Sequence, residues 1–343
     1  MQLQNHLLPN PGAVVQPFVE FGFRPGASQC TGRGAHPERP AAGLCFILLS
    51  LAVLFCSSCA TVPPGVKIEG SNAAYPPGTI IRTASGQAVS FEEMMSDLYT
   101  VPLVYVGEQH SQACHHAIQL RILKSLHARQ SSLKSKLTLG MEMFDHTYQP
   151  VLDKWHKGRL TTEQFLRQTH WYANWKFDFT LYKDILLYVK EQGIRLLGLN
   201  IPPHIPPKIA LGGIDNLLPG DREHLPDNLD TSNEEHRAYV RSVFKHHNQP
   251  EFTRFEYFYQ AQCAWEDSMA EAIAENMDGG SLLVLAGNGH LRHRYGIPQR
   301  AHKRHPVPYR TVLPIPDGRS VKASIADYVW VTPFSDRPHP KMP

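Results

Sequence analysis

The sequence predicts an α/β fold: a mainly parallel sheet with helices on both faces and a smaller inserted helical lobe. Three observations carry that prediction. Six apolar segments of strand length recur at 103–106, 137–143, 194–200, 281–286, 309–313 and 328–331. The first four are continuous rather than alternating, the pattern of parallel strands covered on both faces. Between the first two, residues 112–129 carry Ile118, Ile122 and Leu126 at a spacing of four. That is a β-α-β unit, which closes into a parallel sheet.

Taken from the N-terminus, the chain divides into four parts. Residues 1–58 read as an extension followed by an export signal: 44–55 is an unbroken apolar run (LCFILLSLAVLF) behind Arg33 and Arg39. The run is shorter than the roughly 20 residues of a transmembrane helix and has the length of a signal-peptide core. Small residues then lead to Cys59, the expected lipidation site, with Cys56 where a lipobox usually has an aliphatic residue. Residues 59–77, rich in Pro and Gly, are expected to be a flexible tether. Residues 78–334 form the α/β domain, and 335–343 a disordered tail.

Within the domain, Ser90-Phe91-Glu92-Glu93 is a capping box that opens a short helix. Two intervals, about 145–192 and 202–280, interrupt the strand–helix alternation. The first holds Trp155, Trp171 and Trp175 and a cap at Thr161–Gln164; the second ends in a helix whose Phe258, Ala261, Trp265, Met269 and Ile273 form a stripe read as core.

Composition narrows the function. A formal net charge of +3 in 343 residues makes no demand for nucleic acid. Nineteen histidines raise the case for metal, haem or proton chemistry, although His302, His305 and His339 fall in a basic, Pro-punctuated tail and are expected to have no role. No paired CxxC exists, and spacing gives no support for pairing Cys114 with Cys263.

Three short motifs end apolar strands: Gly107-Glu108-Gln109-His110, Gly140-Met141-Glu142 and Gly287-Asn288-Gly289-His290. In open α/β sheets ligands bind beyond the carboxyl ends of strands, so Glu108, His110, Glu142 and His290 are expected to converge. Such a set can bind a divalent metal, relay protons or hold a polar ligand. Glu142 is the most telling, because a carboxylate inside a buried strand needs a cation, a donor or a proton. His115 and His116, on the first turn of the next helix, lie within expected reach of the same cleft as neutral ligands.

These motifs, with Tyr148-Gln149-Pro150, Trp155, Trp171, Trp175, Tyr182, Asn200-Ile201-Pro202, the 262–270 segment and GNGHLRHRYGIP at 287–298, resemble the ChaN-like haem-binding lipoprotein family, in order over roughly 85–300. The resemblance implies an α/β lobe with a small helical lobe, a role in haem or iron uptake, and haem held between two protomers. It further implies a tyrosine on the iron, with Tyr148 and Tyr295 as candidates, and basic side chains on the propionates, with Arg292, His293 and Arg294 as candidates. An outer-membrane location facing the periplasm, a homodimer around haem and an outer-membrane iron receptor as partner follow from the same resemblance. The wider superfamily, with Tiki, TraB and erythromycin esterases, implies an alternative: a peptidase or esterase dependent on Zn, Mn or Co, using Glu108, His110, Glu142 and His290.

Overall fold

The computed structural model describes residues 65–245 and 252–334. Cys59, the export segment 1–58, the first residues of the expected tether and the tail 335–343 lie outside the described residues. Among the described residues no helix is long and apolar enough to cross a membrane.

Eleven strands are present: β1 Val66–Ile68, β2 Ala74–Tyr75, β3 Ile80–Arg82, β4 Gln87–Val89, β5 Leu103–Glu108, β6 Leu137–Asp145, β7 Arg195–Asn200, β8 Ser281–Gly287, β9 Tyr309–Pro316, β10 Ser320–Val321 and β11 Tyr328–Thr332. Eight form one sheet in the order β4-β3-β11-β9-β5-β8-β6-β7. From β11 to β7 every pairing is parallel, and β3 and β4 add an antiparallel edge. The fold class is the one the sequence predicts. One expectation fails: β1 and β2 pair with each other, and β1 with β10, so 66–75 is folded chain and not tether. Strands of two and three residues are too short to show periodicity.

The sheet is covered on both faces because alternate side chains of its strands enter different cores. Leu103 and Tyr105 of β5, with Leu282 and Val284 of β8, pack with helix Phe255–Glu275; its predicted stripe from Phe258 to Ile273 is buried there. Val104, Val106, Leu283 and Leu285 pack on the other face with helix Ala113–Ser132 and with Trp155, Trp171 and Trp175. The two inserted intervals are thus divided between the faces. Both predicted caps form: Ser90 and Thr161 each accept from the backbone of the third helical residue, whose side chain returns the contact. Cys114 and Cys263 are free thiols.

The connections place the site. Strand β5 leads into helix Ala113–Ser132 on one face, while its neighbour β8 leads into helix Ile297–Arg304 on the other. Adjacent parallel strands that exit to opposite faces leave a crevice at their carboxyl ends. Leu283, fully buried in the middle of this arrangement, measures how much the sheet depends on packing. Leu283→Ala is expected to cost about 2–5 kcal/mol, read as a lower urea midpoint at unchanged m-value; a loss under half a kcal/mol would contradict the two-faced core.

Candidate functional site

Every residue of β6 is buried, so Glu142 enters the protein interior without water. Its carboxylate is answered by three groups from the far end of the chain and from β5. Oε2 accepts the Gly287 backbone N–H at 2.6 Å, while Oε1 lies 3.5 Å from His290 Nε2 and 3.9 Å from His110 Nε2. The structure therefore brings Glu108, His110, Glu142 and His290 together. Glycine makes the approach feasible: a Cβ on Gly287 would stand 3.0 Å from the His110 ring and 3.5 Å from Glu142 Oε2.

Glu108, the last residue of β5, is equally enclosed. Oε1 takes His110 Nδ1 at 2.7 Å and the Tyr182 hydroxyl at 2.5 Å; Oε2 takes the Gln119 amide at 2.8 Å and faces His116 Nε2 at 3.5 Å. The His110 ring is held edge-on by Trp175, with centroids 4.7 Å apart, so the inserted aromatic segment fixes the imidazole.

On the opposite side the chain of charges continues into helix Phe255–Glu275, where sequence reasoning saw only core. Glu266 Oε1 lies 3.1 Å from His290 Nδ1, and Oε2 3.1 Å from His236 Nε2 and 3.4 Å from Arg300 Nε. Arg300 also grips Asp267, which Arg304 meets at 2.8 Å. Gln262 donates to Glu266 at 2.6 Å. The signal was present: Gln262, Glu266 and Asp267 are polar residues on a helix otherwise apolar on most sides, and Gln262 and Glu266 are four apart, on one face. Gly296 permits the closure, since a Cβ there would meet the Glu266 carboxylate at 2.7 Å.

Burial disfavours the charged form of each acid here, yet the facing imidazoles outweigh it. Glu108 opposite His116, Glu142 opposite His290 and Glu266 opposite His236 are all held below the usual carboxylate range. Burial likewise opposes charge on His290, but Glu142 and Glu266 on its two sides push its pKa up to about 10. Standing between Glu142 and Glu266, His290 is favoured in its protonated form.

Other expected site residues stand elsewhere. His115 does not face the crevice: its Nδ1 accepts the Gln109 N–H at 2.8 Å and its Nε2 meets Thr332 at 3.1 Å. Burial drives it down to about 3, so it is neutral, as expected, but it serves as a tie between β5, its helix and β11. Arg294 is bound to Asp327 at 2.6 Å, and His293 contacts Ser324 and stacks on Tyr295 at 5.2 Å. His293 and Arg294 have φ of 57° and 64°, a left-handed conformation that costs side-chain-bearing residues energy and clusters at functional sites. Arg292 lines the crevice. Tyr148 accepts from the Asn174 amide at 2.9 Å, beyond the end of β6.

As a metal set, Glu108, His110, Glu142 and His290 do not fit. Among the described residues no group of three His, Cys, Asp or Glu side chains is arranged to hold an ion. The physical reason is that these carboxylates and imidazoles face one another and the surrounding donors, and so form an ion-paired chain and not an open ligand face.

A profile described as haem-binding uptake, Tiki superfamily, ChaN matches residues 94–301. Among solved structures, ChaN of Campylobacter jejuni, reported with cofacial haem, aligns at 21% identity and a TM-score of 0.61, over 73% of this chain and 95% of that one. An erythromycin esterase mutant in its open conformation aligns at 14% identity and TM-score 0.38, over 69% and 76%. The type III effector HopBA1 gives 14% and 0.39, over 71% and 92%. No curated protein sequence matches.

The pKa directions set a pH window. His290, raised above its ordinary 6.5, contributes stability that is complete below that value and lost as pH climbs toward about 10. The depressed acids contribute above their ordinary 4.5 and lose it as pH falls. Wild type is therefore expected to exceed His290→Gln in Tm most strongly between about pH 4.5 and 6.5. A gap that widens steadily toward pH 10 would contradict the clamp.

Proposed function

The chain belongs to the family described as haem-binding uptake, Tiki superfamily, ChaN, and on that premise we propose that it binds haem in the course of haem or iron uptake. The observation that carries the reading is the family match across 94–301, which spans all three strand-end motifs and the ion-paired centre they build. Haem does not enter that centre. The cavity there holds about 50 Å³, a few atoms' worth of space, so the porphyrin would have to lie outside it, with Tyr148, Tyr295 and the 292–294 turn as its candidate contacts. A ligand lying on a surface is enclosed only if a second surface covers it, which supports a homodimer around the haem; Campylobacter ChaN is described as binding haem cofacially.

Between the two tyrosines, the chemistry favours Tyr148 as the iron ligand. The Asn174 amide donates to its hydroxyl oxygen, support that a ligated, negatively charged phenolate needs. Tyr295 is disfavoured, because burial and the nearby Glu235 both push its hydroxyl away from ionisation. Lipidation of Cys59, anchorage in the outer membrane facing the periplasm, and delivery of haem or iron from an outer-membrane receptor complete the proposal; the first rests on the apolar run and small residues before Cys59, the others on the family resemblance. Hemin titrated into the protein is expected to give a saturable Soret shift at one hemin per chain with a dimer mass in sedimentation. Tyr148→Phe is expected to weaken binding at least about tenfold, some 1.4 kcal/mol. Featureless, non-saturating absorption would sink the reading, and a larger loss in Tyr295→Phe would move the iron to that residue.

A second reading, hydrolysis at the same centre, is favoured by one contact. Glu108 holds His110 Nδ1 at 2.7 Å, which places the imidazole proton on that nitrogen and orients the ring as a general base is oriented. Given the paired carboxylates, this chemistry would proceed without a divalent ion. Ester hydrolysis that survives chelation and vanishes in His110→Gln, with the far-UV spectrum unchanged, is the expected result. Equal turnover by wild type and variant would end this reading.

A further inference from the structure

Strand β1 lies between β2 and β10, with Lys67 opposite Ser320 and Ile68 opposite Val321. Val66, Ile68 and Val321 turn into the core, so Lys67 and Ser320 stand on the outer side of this small sheet. Arg319 and Lys322 flank the β10 end of that side, and the Lys67 N–H donates to the Arg319 carbonyl at 2.9 Å. The turn at 292–294 is tied to the segment that follows β10. His293 Nδ1 meets the Ser324 hydroxyl at 3.1 Å, and Arg294 donates to the Ser324 carbonyl at 3.2 Å. Burial first, then the charges of Arg292, Lys322 and Arg294, hold His293 below its ordinary pKa, against the pull of Glu69. Basic side chains thus gather on one face, around the point where β1 begins. Two acids there are already engaged: Asp327 takes Arg294 at 2.6 Å, and the buried Asp317 accepts the Gly318 N–H at 2.6 Å. Glu69 is exposed, as are Lys67 and Lys322.

We propose that this face, centred on Lys67, Arg319 and Lys322, docks on an anionic phospholipid surface, so that the domain stands against the bilayer that holds its anchor. The orientation rests on lipidation of Cys59. Only residues 60–65 separate that cysteine from β1, and a link of that length spans at most about 25 Å when fully extended. A domain the size of 65–334 is about 50 Å across. The link is too short to turn the opposite face to the bilayer, so the face around β1 is the one presented. Charges within about 10 Å of an anionic surface escape most of the screening by salt. Each Lys or Arg brought there strengthens binding about fivefold. An anchor that already confines the domain near the membrane needs only this modest bias to fix its orientation. Arg292 lines the β5–β8 crevice and stands beside this face, so docking sets the crevice mouth next to the headgroups.

Protein purified from the cell envelope and reconstituted into vesicles tests the orientation. One set of vesicles is phosphatidylcholine alone, and the other contains about a third phosphatidylglycerol. Acylation of lysines, read residue by residue by mass spectrometry, reports which face is covered. Lys67 and Lys322 are expected to react at least about threefold more slowly on the anionic vesicles, a protection that high salt removes. Lys154 and Lys183, exposed on helices that pack on the other side of the sheet, are expected to react equally on both. In the double variant Arg319→Glu, Lys322→Glu the protection of Lys67 is expected to vanish with Tm unchanged. Equal reactivity of Lys67 on the two vesicle types, or unchanged protection in the double variant, would overturn the proposal. Protection already complete on neutral vesicles would overturn it too, since a second copy of the chain then covers the face. Flotation separates the anchor from the docking. A chain that floats with both vesicle types and shows no protection keeps its anchor and loses the proposed face. Flotation with the anionic vesicles alone removes the anchor reading and leaves the docking face standing, and flotation with neither removes both.

Discussion

A carboxylate placed by Glu142 in the middle of a wholly buried strand has no water to solvate it, and the fold must supply what water would have supplied. A single counter-charge does not suffice, because that counter-charge is buried too. His290 pairs with Glu142 and needs Glu266 behind it; Glu266 needs His236 and Arg300; Arg300 needs Asp267. Charges alternate from the β5–β8 crevice out to Arg304 on the rim of helix Ile297–Arg304. Removing one member strands its neighbours, a loss of the order of 3–5 kcal/mol for a buried pair. Such a chain is weak as a source of stability and strong as a device that fixes side-chain positions.

The backbone is cut to fit that chain. Parallel strands β5 and β8 lie side by side and leave by opposite faces, so their carboxyl ends are uncovered by either connection. Into that gap the sequence sends glycine at 287, where a side chain would crowd the His110 ring, and at 296, where it would collide with the His290 carbonyl and the Glu266 carboxylate. The aromatic segment after β6 closes the other wall through Trp175 and Tyr182, which hold His110 and Glu108. Packing, electrostatics and access to the crevice are thus settled by the same few residues.

Much of this was legible in the sequence. Strands buried on both faces show as continuous apolar runs, and β5, β6, β7 and β8 begin and end within two residues of where the pattern put them. The motif residues Glu108, His110, Glu142 and His290 were readable because polar groups at the end of an apolar run interrupt an otherwise uniform pattern. Glu266 and Asp267 left only a weaker trace, polar breaks in a mostly apolar helix, and His236 left none, since a helix exposes polar residues routinely and only tertiary packing tells which of them face inward. His115 and His116 show the same limit: adjacent on one helix turn, they point about 100° apart, one toward Glu108 and one toward Thr332. Strands β1 and β2 escaped because two or three residues carry no period.

The claim on which the rest stands is that His290 is a buried imidazolium held by two carboxylates. Nitrogen-15 NMR of the labelled ring reads this directly. Both ring nitrogens of His290 are expected to carry protons at neutral pH, and both are expected to stay protonated after the solvent-exposed histidines have titrated. A neutral ring, with one nitrogen protonated and the other bare at neutral pH, would contradict the clamp and the charge chain built on it.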